Sequence, residues 1–353
     1  MRVPAAAHCK HDPSLAQRWQ TGGGIGTTRS AREARSPTRK RAAWRSAGLA
    51  LAFGVALGGC RHAYASISVI DDAGDRVTLA APARRVIALS PHAVELVYAA
   101  GGGAKLVGAV SYSDYPSAAK TLPRVGDNNA LDLERIVALR PDLVIVWRHG
   151  NDERQLDRLR ALGIARYHSE PRKIDDVATD LTALGTLLGT ASQADAAAAE
   201  YRTNVAALRA RYAKRPPVSV FYEVWDDPLM TLNGTHVVSD IITLCGGRNV
   251  FAQLAPLVPT VSTEAVVAAD PEAIVTTGQG PTPAGAPLPD GLAAWRAWPR
   301  MTAVARGNLF ALDGDLINRP GPRLVQGAAQ LCRDLDLARA RRPRETPGSD
   351  RVR

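Results

Sequence analysis

Phenylalanine and methionine are scarce in this chain, four and three in 353 residues, and Phe, Trp and Tyr together make up 5%. Where the few large aromatics fall is therefore informative. Catalytic signatures are missing too. There is no G-x-S-x-G elbow, no phosphate-cradling Gly-rich loop before a helix, no H-E-x-x-H and no Cys–His nucleophile pair. That removes the motif-bearing hydrolase, nucleotide-binding and zinc-protease classes. His149, His168 and His236 lack metal-ligand spacing, and the four cysteines form no zinc pattern. The apolar run AGLALAFGVALGG (47–59) is shorter than the roughly 20 residues of a membrane-spanning helix.

The basic excess is local. Eleven Lys and Arg lie between Arg2 and Arg61, against Asp12 and Glu33, so nearly all of the net charge of +10 belongs to that segment. Ser66 onward carries 33 basic and 32 acidic residues, which leaves no footprint for nucleic acid. Arg39, Lys40, Arg41 and Arg45 ahead of the apolar run read as the n-region of a signal peptide, and residues 1–65 are assigned to a signal or leader segment. Leu57-Gly58-Gly59-Cys60 resembles a lipobox, with Cys60 as the lipidation candidate. Ala63-Tyr64-Ala65 is an A-x-A site that would discard Cys60, and both cuts stay open. Either leaves Cys245 and Cys332, a pair that in an exported protein is expected to form a disulfide, the alternative being two buried thiols.

The rest of the chain repeats itself. LDLERIVALRPDLVIVW (131–147) aligns without gaps with VSTEAVVAADPEAIVTTG (261–278) at an offset of 130, pairing Glu134 with Glu264 and Pro141 with Pro271. Each copy reads as a capping residue (Asp132, Ser262), a short helix, a Pro and an apolar strand. Between them lies an Ala- and Leu-rich stretch from Ile174 to Arg215 with the helical stripe Val177, Leu181, Leu184, Leu188. Gly185 and Gly189 leave room for a bend near Thr190. The expected fold is α/β: two Rossmann-like lobes joined by one long helix. The boundaries are 66–172 for the N-terminal lobe, 173–215 for the linking helix, 216–338 for the C-terminal lobe and 339–353 for a disordered basic tail. A β-hairpin is expected over Ile67–Leu79.

Ligands of open α/β sheets bind at the carboxyl ends of the strands. The loops expected there are Ser90–His92, Ser111–Pro116, Trp147–Gly150, Tyr222–Asp227 and Asp313–Pro320. Tyr112, Tyr115, Trp147, Tyr222 and Trp225 all fall in them, forming an apolar wall for a large ligand. An exported two-lobed protein with an aromatic cleft and no catalytic constellation reads as a binding protein.

Four segments carry a resemblance: SYSDYP (111–116), LDLERIVALRPDLVIVWRHGNDERQLDRLRALGI (131–164), LCGGRNVF (244–251) and GPRLVQGAAQLCRDL (321–335). From about Arg85 to Ala338 the chain resembles the periplasmic cobalamin-binding components of ABC importers. These belong to the solute-binding proteins joined by one rigid helix, which also serve siderophores and haem. The resemblance implies a corrinoid as cargo rather than cofactor, a permease dimer with its ATPase subunits as partner, a periplasmic or lipid-anchored location, and little closure motion. It implies that Tyr112 and Trp147 face the ligand, that Asp315 and Arg319 contact its amide-bearing periphery, and that Cys245 pairs with Cys332. It also implies that Glu134 and Glu264 dock onto permease arginines, a pairing that twin carboxylates on related lobes would suit.

Two positions depart from the family. Asn128 and Val258 stand where it offers aromatics, a loss that Trp225 would offset from the opposite lobe. The pocket would then favour another corrinoid, such as cobinamide, or hold cobalamin less tightly. The alternative cargo is haem or a ferric siderophore. The alternative of another class is a corrinoid-modifying hydrolase using Asp114, His92 or Asp315 as acid–base groups.

Overall fold

In the computed structural model, described here for residues 66–127, 130–278 and 288–343, the first element is a hairpin. Strands β1 (Ile67–Ile70) and β2 (Arg76–Leu79) pair antiparallel, Ile67 opposite Leu79. Asp71 ties the turn by accepting from the Ala73 and Asp75 backbone N–H groups.

The first lobe follows. Its chain runs β3 (Val86–Ala88), α1 (Pro91–Ala99), β4 (Leu106–Ala109), α2 (Leu133–Ala138), β5 (Leu143–Val146), α3 (Glu153–Ala161) and β6 (Ala165–His168). The four core strands form a parallel sheet in the order β4-β3-β5-β6. β3 and β5 are buried along their whole length, as central strands covered on both faces must be. Ser90 caps α1 by accepting from the Ala93 N–H, and Pro91 follows at the first helical position.

Two helices come next, α4 (Asp176–Leu188) and α5 (Ala191–Tyr212). The single linking helix expected over 173–215 is corrected here: the chain reverses at Gly189, whose φ of 67° only glycine adopts cheaply. The two helices lie back to back. Arg209 reaches Asp175 at 2.6 Å and Arg202 reaches the Ala178 carbonyl. A Cβ on Gly185 would sit 2.2 Å from that of Ala194, so the missing side chain sets how closely they approach. Of the two, α5 carries the chain from one lobe to the other. It packs against α4 and α1 on one side and reaches the C-terminal helices on the other.

The second lobe runs β7 (Val218–Tyr222), β8 (Trp225–Asp226), β9 (Leu229–Met230), α6 (Val237–Leu244), β10 (Gly247–Asn249), α7 (Thr263–Ala269), β11 (Ala273–Gly278), α8 (Asp290–Ala294), α9 (Thr302–Ala305), β12 (Leu309–Asp313), α10 (Gly314–Ile317) and α11 (Leu324–Ala340). Its parallel sheet has the order β10-β7-β11-β12, the same strand sequence as the first lobe. The 130-residue repeat is visible in detail. Asp132 and Ser262 each accept from the backbone N–H three residues on, opening α2 and α7. Arg140 (φ 46°) and Asp270 (φ 38°) end those segments in the left-handed region, and the following proline disfavours the right-handed helical one.

Cys245 at the end of α6 is bonded to Cys332 on α11, as expected, with Cα atoms 4.7 Å apart. The disordered tail expected over 339–353 is corrected for its first residues, and 344–353 lie outside the described residues. α11 runs to Ala340, and Arg339 donates to the carbonyls of Pro216, Cys245 and Gly246. Arg342 forks onto Glu272. One hydrophobic core runs from Val77 through Ala194, Ala198, Tyr201 and Val205 of α5 to Ala338, with a smaller cluster at the outer side of each lobe. Among the described residues no helix is long and apolar enough to cross a membrane. Cys60 and Asn128 lie outside them.

Candidate functional site

A cavity of about 540 Å³ lies where strands of both sheets end. β5 delivers Trp147 and His149, β6 delivers Glu170, β7 delivers Tyr222 and Val224, and β11 delivers Thr277. Its size falls within the range of small-molecule sites, and it sits at the carboxyl edge that open α/β sheets use.

The Trp147 wall is built from below. The buried Asn151 accepts from the Trp147 N–H at 2.8 Å and donates to the Leu89 carbonyl at 3.0 Å, pinning this loop to the one after β3. His92 stands edge-on to Trp147, centroids 5.7 Å apart. It is itself buried, which pushes its pKa down to about 4 and keeps it neutral. Glu170 holds His149: its Nδ1 lies 2.8 Å from Oε1, and its backbone N–H donates to Oε2 at 3.2 Å. Glu170 is fixed in turn by its N–H donating to Asp72 at 2.5 Å.

The opposite wall is softer. Leu232, Leu257 and Val258 give it apolar surface, and Asn233, Thr235 and His236 add polar groups. His236 caps α6 by accepting from the Val238 N–H on Nδ1, at 3.2 Å. Burial first, and the nearby His149 second, push its pKa down to about 4. A neutral ring whose Nδ1 accepts carries its proton on Nε2, so His236 is a donor.

Of the residues expected to meet a ligand, Trp147 lines this cavity. Tyr112 follows β4 at φ 64° and is 80% exposed, and Trp225 on β8 is 53% exposed; neither belongs to the lining. Asp315 and Arg319 are joined to each other at 2.8 Å, and Arg319 reaches across to Asp114 at 2.7 Å. Burial works to raise the Asp114 carboxyl, but the hydrogen bond and charge of Arg319 outweigh it and hold it below the usual range. The acid–base set of the hydrolase alternative is therefore not assembled: Arg319 takes both carboxylates, and His92 faces Ser90 and the Ser169 carbonyl instead. Glu134 and Glu264 each stand exposed in the first turn of their helix.

The segments Glu170–Arg172, Leu232–Val237 and Ala255–Val258 also line the cavity and were not among the expected loops. Asn233-Gly234 is a turn signal that marks the second of them.

Comparison with known proteins agrees with this geometry. Residues 86–316 match the family described as periplasmic binding protein. The Vitamin B12-binding protein of Vibrio cholerae is 38% identical over 258 residues, covering 73% of this chain and 91% of that protein. The crystal structure of the periplasmic vitamin B12 binding protein BtuF of Vibrio cholerae superposes with a TM-score of 0.67 at 37% identity, over 73% of this chain and 98% of that one. The periplasmic heme-binding protein RhuT from Roseiflexus sp. RS-1 superposes with a TM-score of 0.63 at 26% identity, over 72% and 99%. The two lobes, the cavity between their strand ends and these matches together place the chain in the periplasmic binding protein family.

Proposed function

We propose that this protein captures a corrinoid in the cavity and hands it to the permease of an ABC importer. The observation that carries the reading is the cavity itself. It opens at the strand ends of both lobes, with Trp147 on one wall and Leu232, Leu257 and Val258 on the other, in a chain 38% identical to a vitamin B12-binding protein. Large flat rings with a polar rim are held by such walls. Val258, which stands where the resembled family offers an aromatic, lies in that lining, so the pocket favours another corrinoid such as cobinamide or holds cobalamin less tightly.

Trp147 supplies the ring contact inside the cavity. Tyr112 and Trp225 contact the part of the ligand that overhangs it, and Asp315 and Arg319 meet the peripheral amides. Glu134 and Glu264, one at the start of each repeated helix, dock onto the two halves of the permease dimer, whose ATPase subunits drive release. The protein works in the periplasm, free or anchored through Cys60. The cycle leaves the corrin framework of the cargo intact, so no catalytic residue is assigned.

The test is titration calorimetry of the purified protein with cyanocobalamin, cobinamide and haemin in parallel. One-to-one binding of a corrinoid is expected. Heat from haemin alone would overturn the corrinoid assignment and leave the haem alternative.

A further inference from the structure

The cavity holds two imidazoles, and their wiring differs. His236 uses Nδ1 to accept the Val238 N–H, which fixes a proton on Nε2. His149 is wired the other way. Its Nδ1 faces the Glu170 carboxylate at 2.8 Å, an acceptor that keeps the proton on Nδ1 and leaves the lone pair of Nε2 outward. Among the described residues Nε2 has no hydrogen-bond partner, and His149 lines the cavity. A histidine whose second nitrogen is held by a carboxylate is the arrangement that orients an imidazole onto a metal and raises its basicity.

The support behind Glu170 is unusually deep. Its backbone is tied to Asp72. Asp71 beside it binds the His168 ring at 2.7 Å, and Ser169 and Tyr167 both donate to the buried Asp180. A solvent-facing ion pair needs no such scaffold, and its energy alone would not justify one.

We propose that His149 is an axial ligand to the cobalt of the bound corrinoid, with Glu170 as its positioning residue. This deepens the corrinoid reading and rests on it. The exchange is a simple substitution at cobalt(III): the Nε2 lone pair forms a Co–N bond, one Co–O bond breaks, and a water molecule leaves. No electron moves, and the proton stays on Nδ1, donated in a hydrogen bond to Glu170. Corrinoids with an exchangeable axial water, diaquacobinamide above all, are therefore the ligands this site selects. His236, a donor on Nε2, serves a polar acceptor on the ligand rather than its metal.

The experiment is absorption spectroscopy with parallel affinity measurement on the purified protein. Diaquacobinamide is expected to show the band shift of water replaced by imidazole, and to bind at least about tenfold more tightly than dicyanocobinamide in excess cyanide, whose axial positions are blocked. His149→Ala should abolish the shift and, with it, the preference for diaquacobinamide over dicyanocobinamide. Glu170→Gln should weaken diaquacobinamide binding by about tenfold, and His236→Gln should keep the shift. Tight binding with an unchanged spectrum, or a shift that survives His149→Ala, would overturn axial ligation and leave the corrinoid reading intact. Failure of every corrinoid to bind would overturn both.

Discussion

Arg323 donates two parallel hydrogen bonds to Glu95, Nε to Oε2 at 2.9 Å and Nη2 to Oε1 at 2.6 Å, across 228 positions of sequence. Glu95 is 3% exposed on α1 of the first lobe, and Arg323 stands at the start of α11 in the second. The Tyr115 ring lies 4.0 Å from the guanidinium. Fork and stack together hold the lobes in register. Arg323→Ala leaves the buried Glu95 carboxylate with only the longer Arg319 contact at 3.6 Å and should cost up to about 3 kcal/mol of stability, read as a lower urea midpoint. Arg323→Lys should restore little of it, because an ammonium offers neither the fork nor the stack. Full recovery with lysine would show that charge alone holds the contact.

Trp147 and Trp225 make a contrasting pair. Trp147 lines the cavity over a pinned loop, whereas Trp225 sits on a two-residue strand and is mostly exposed. Trp147→Ala should weaken corrinoid binding about tenfold, equivalent to about 1.4 kcal/mol, with Trp225→Ala having the smaller effect. Calorimetry decides it, and the reverse order would place the ring contact in the second lobe.

Docking and capture should separate. Glu134→Ala and Glu264→Ala remove exposed charges on helices away from the cavity lining. Each should slow association with the reconstituted permease several-fold, less so at high salt, because such charges act mainly on encounter. Corrinoid affinity should stay unchanged. Equal loss in both measurements would count against docking.

The pH dependence of stability has a marked carboxyl in it. Burial pushes Asp334 on α11 up to about 7, against the pull of Arg333 and Arg341. Unfolded, it titrates near 3.9, so between about pH 4 and pH 7 the folded chain keeps a proton the unfolded chain has lost. Its share of stability is thus lost as pH rises through that window. His92 and His236, pushed down to about 4 by burial, act with the opposite sign, adding stability as pH rises from about 4 to about 6.5. Asp334→Asn should raise Tm at about pH 8 and leave it nearly unchanged at about pH 4. An equal gain at both would assign the effect to packing.

Much of this was legible because local signals agreed. Asp132 and Ser262, Pro141 and Pro271, and the apolar runs of β5 and β11 announced the duplicated unit, and both caps and both helix stops fall where those residues stand. The hairpin and the Cys245–Cys332 bond were equally readable. The reversal at Gly189 was not. A glycine within a helical stripe is compatible with a bend, a close packing contact or a turn, and long-range contacts between α4 and α5, such as Arg209 with Asp175, decide among them. Glu170 escaped notice because β6 reads ARYH, a strand whose polar His168 is buried only through Asp71, 97 residues earlier. The register of Arg339 and Arg342 was hidden for a similar reason: a basic tail looks solvated until the carbonyls of Pro216 and Cys245 and the carboxylate of Glu272 are near it.

The core that passes through α5 makes the molecule one thermodynamic body with two faces. Alanines 194 and 198, Tyr201 and Val205 belong to the same buried cluster as strands of both sheets, so neither lobe owns a complete interior. A chain severed at the exposed 214–217 turn should stay assembled as two non-covalent fragments and melt in a single step. Either fragment made alone should aggregate. Such a body should close little around its cargo, so the apo and loaded forms should have nearly the same small-angle scattering radius.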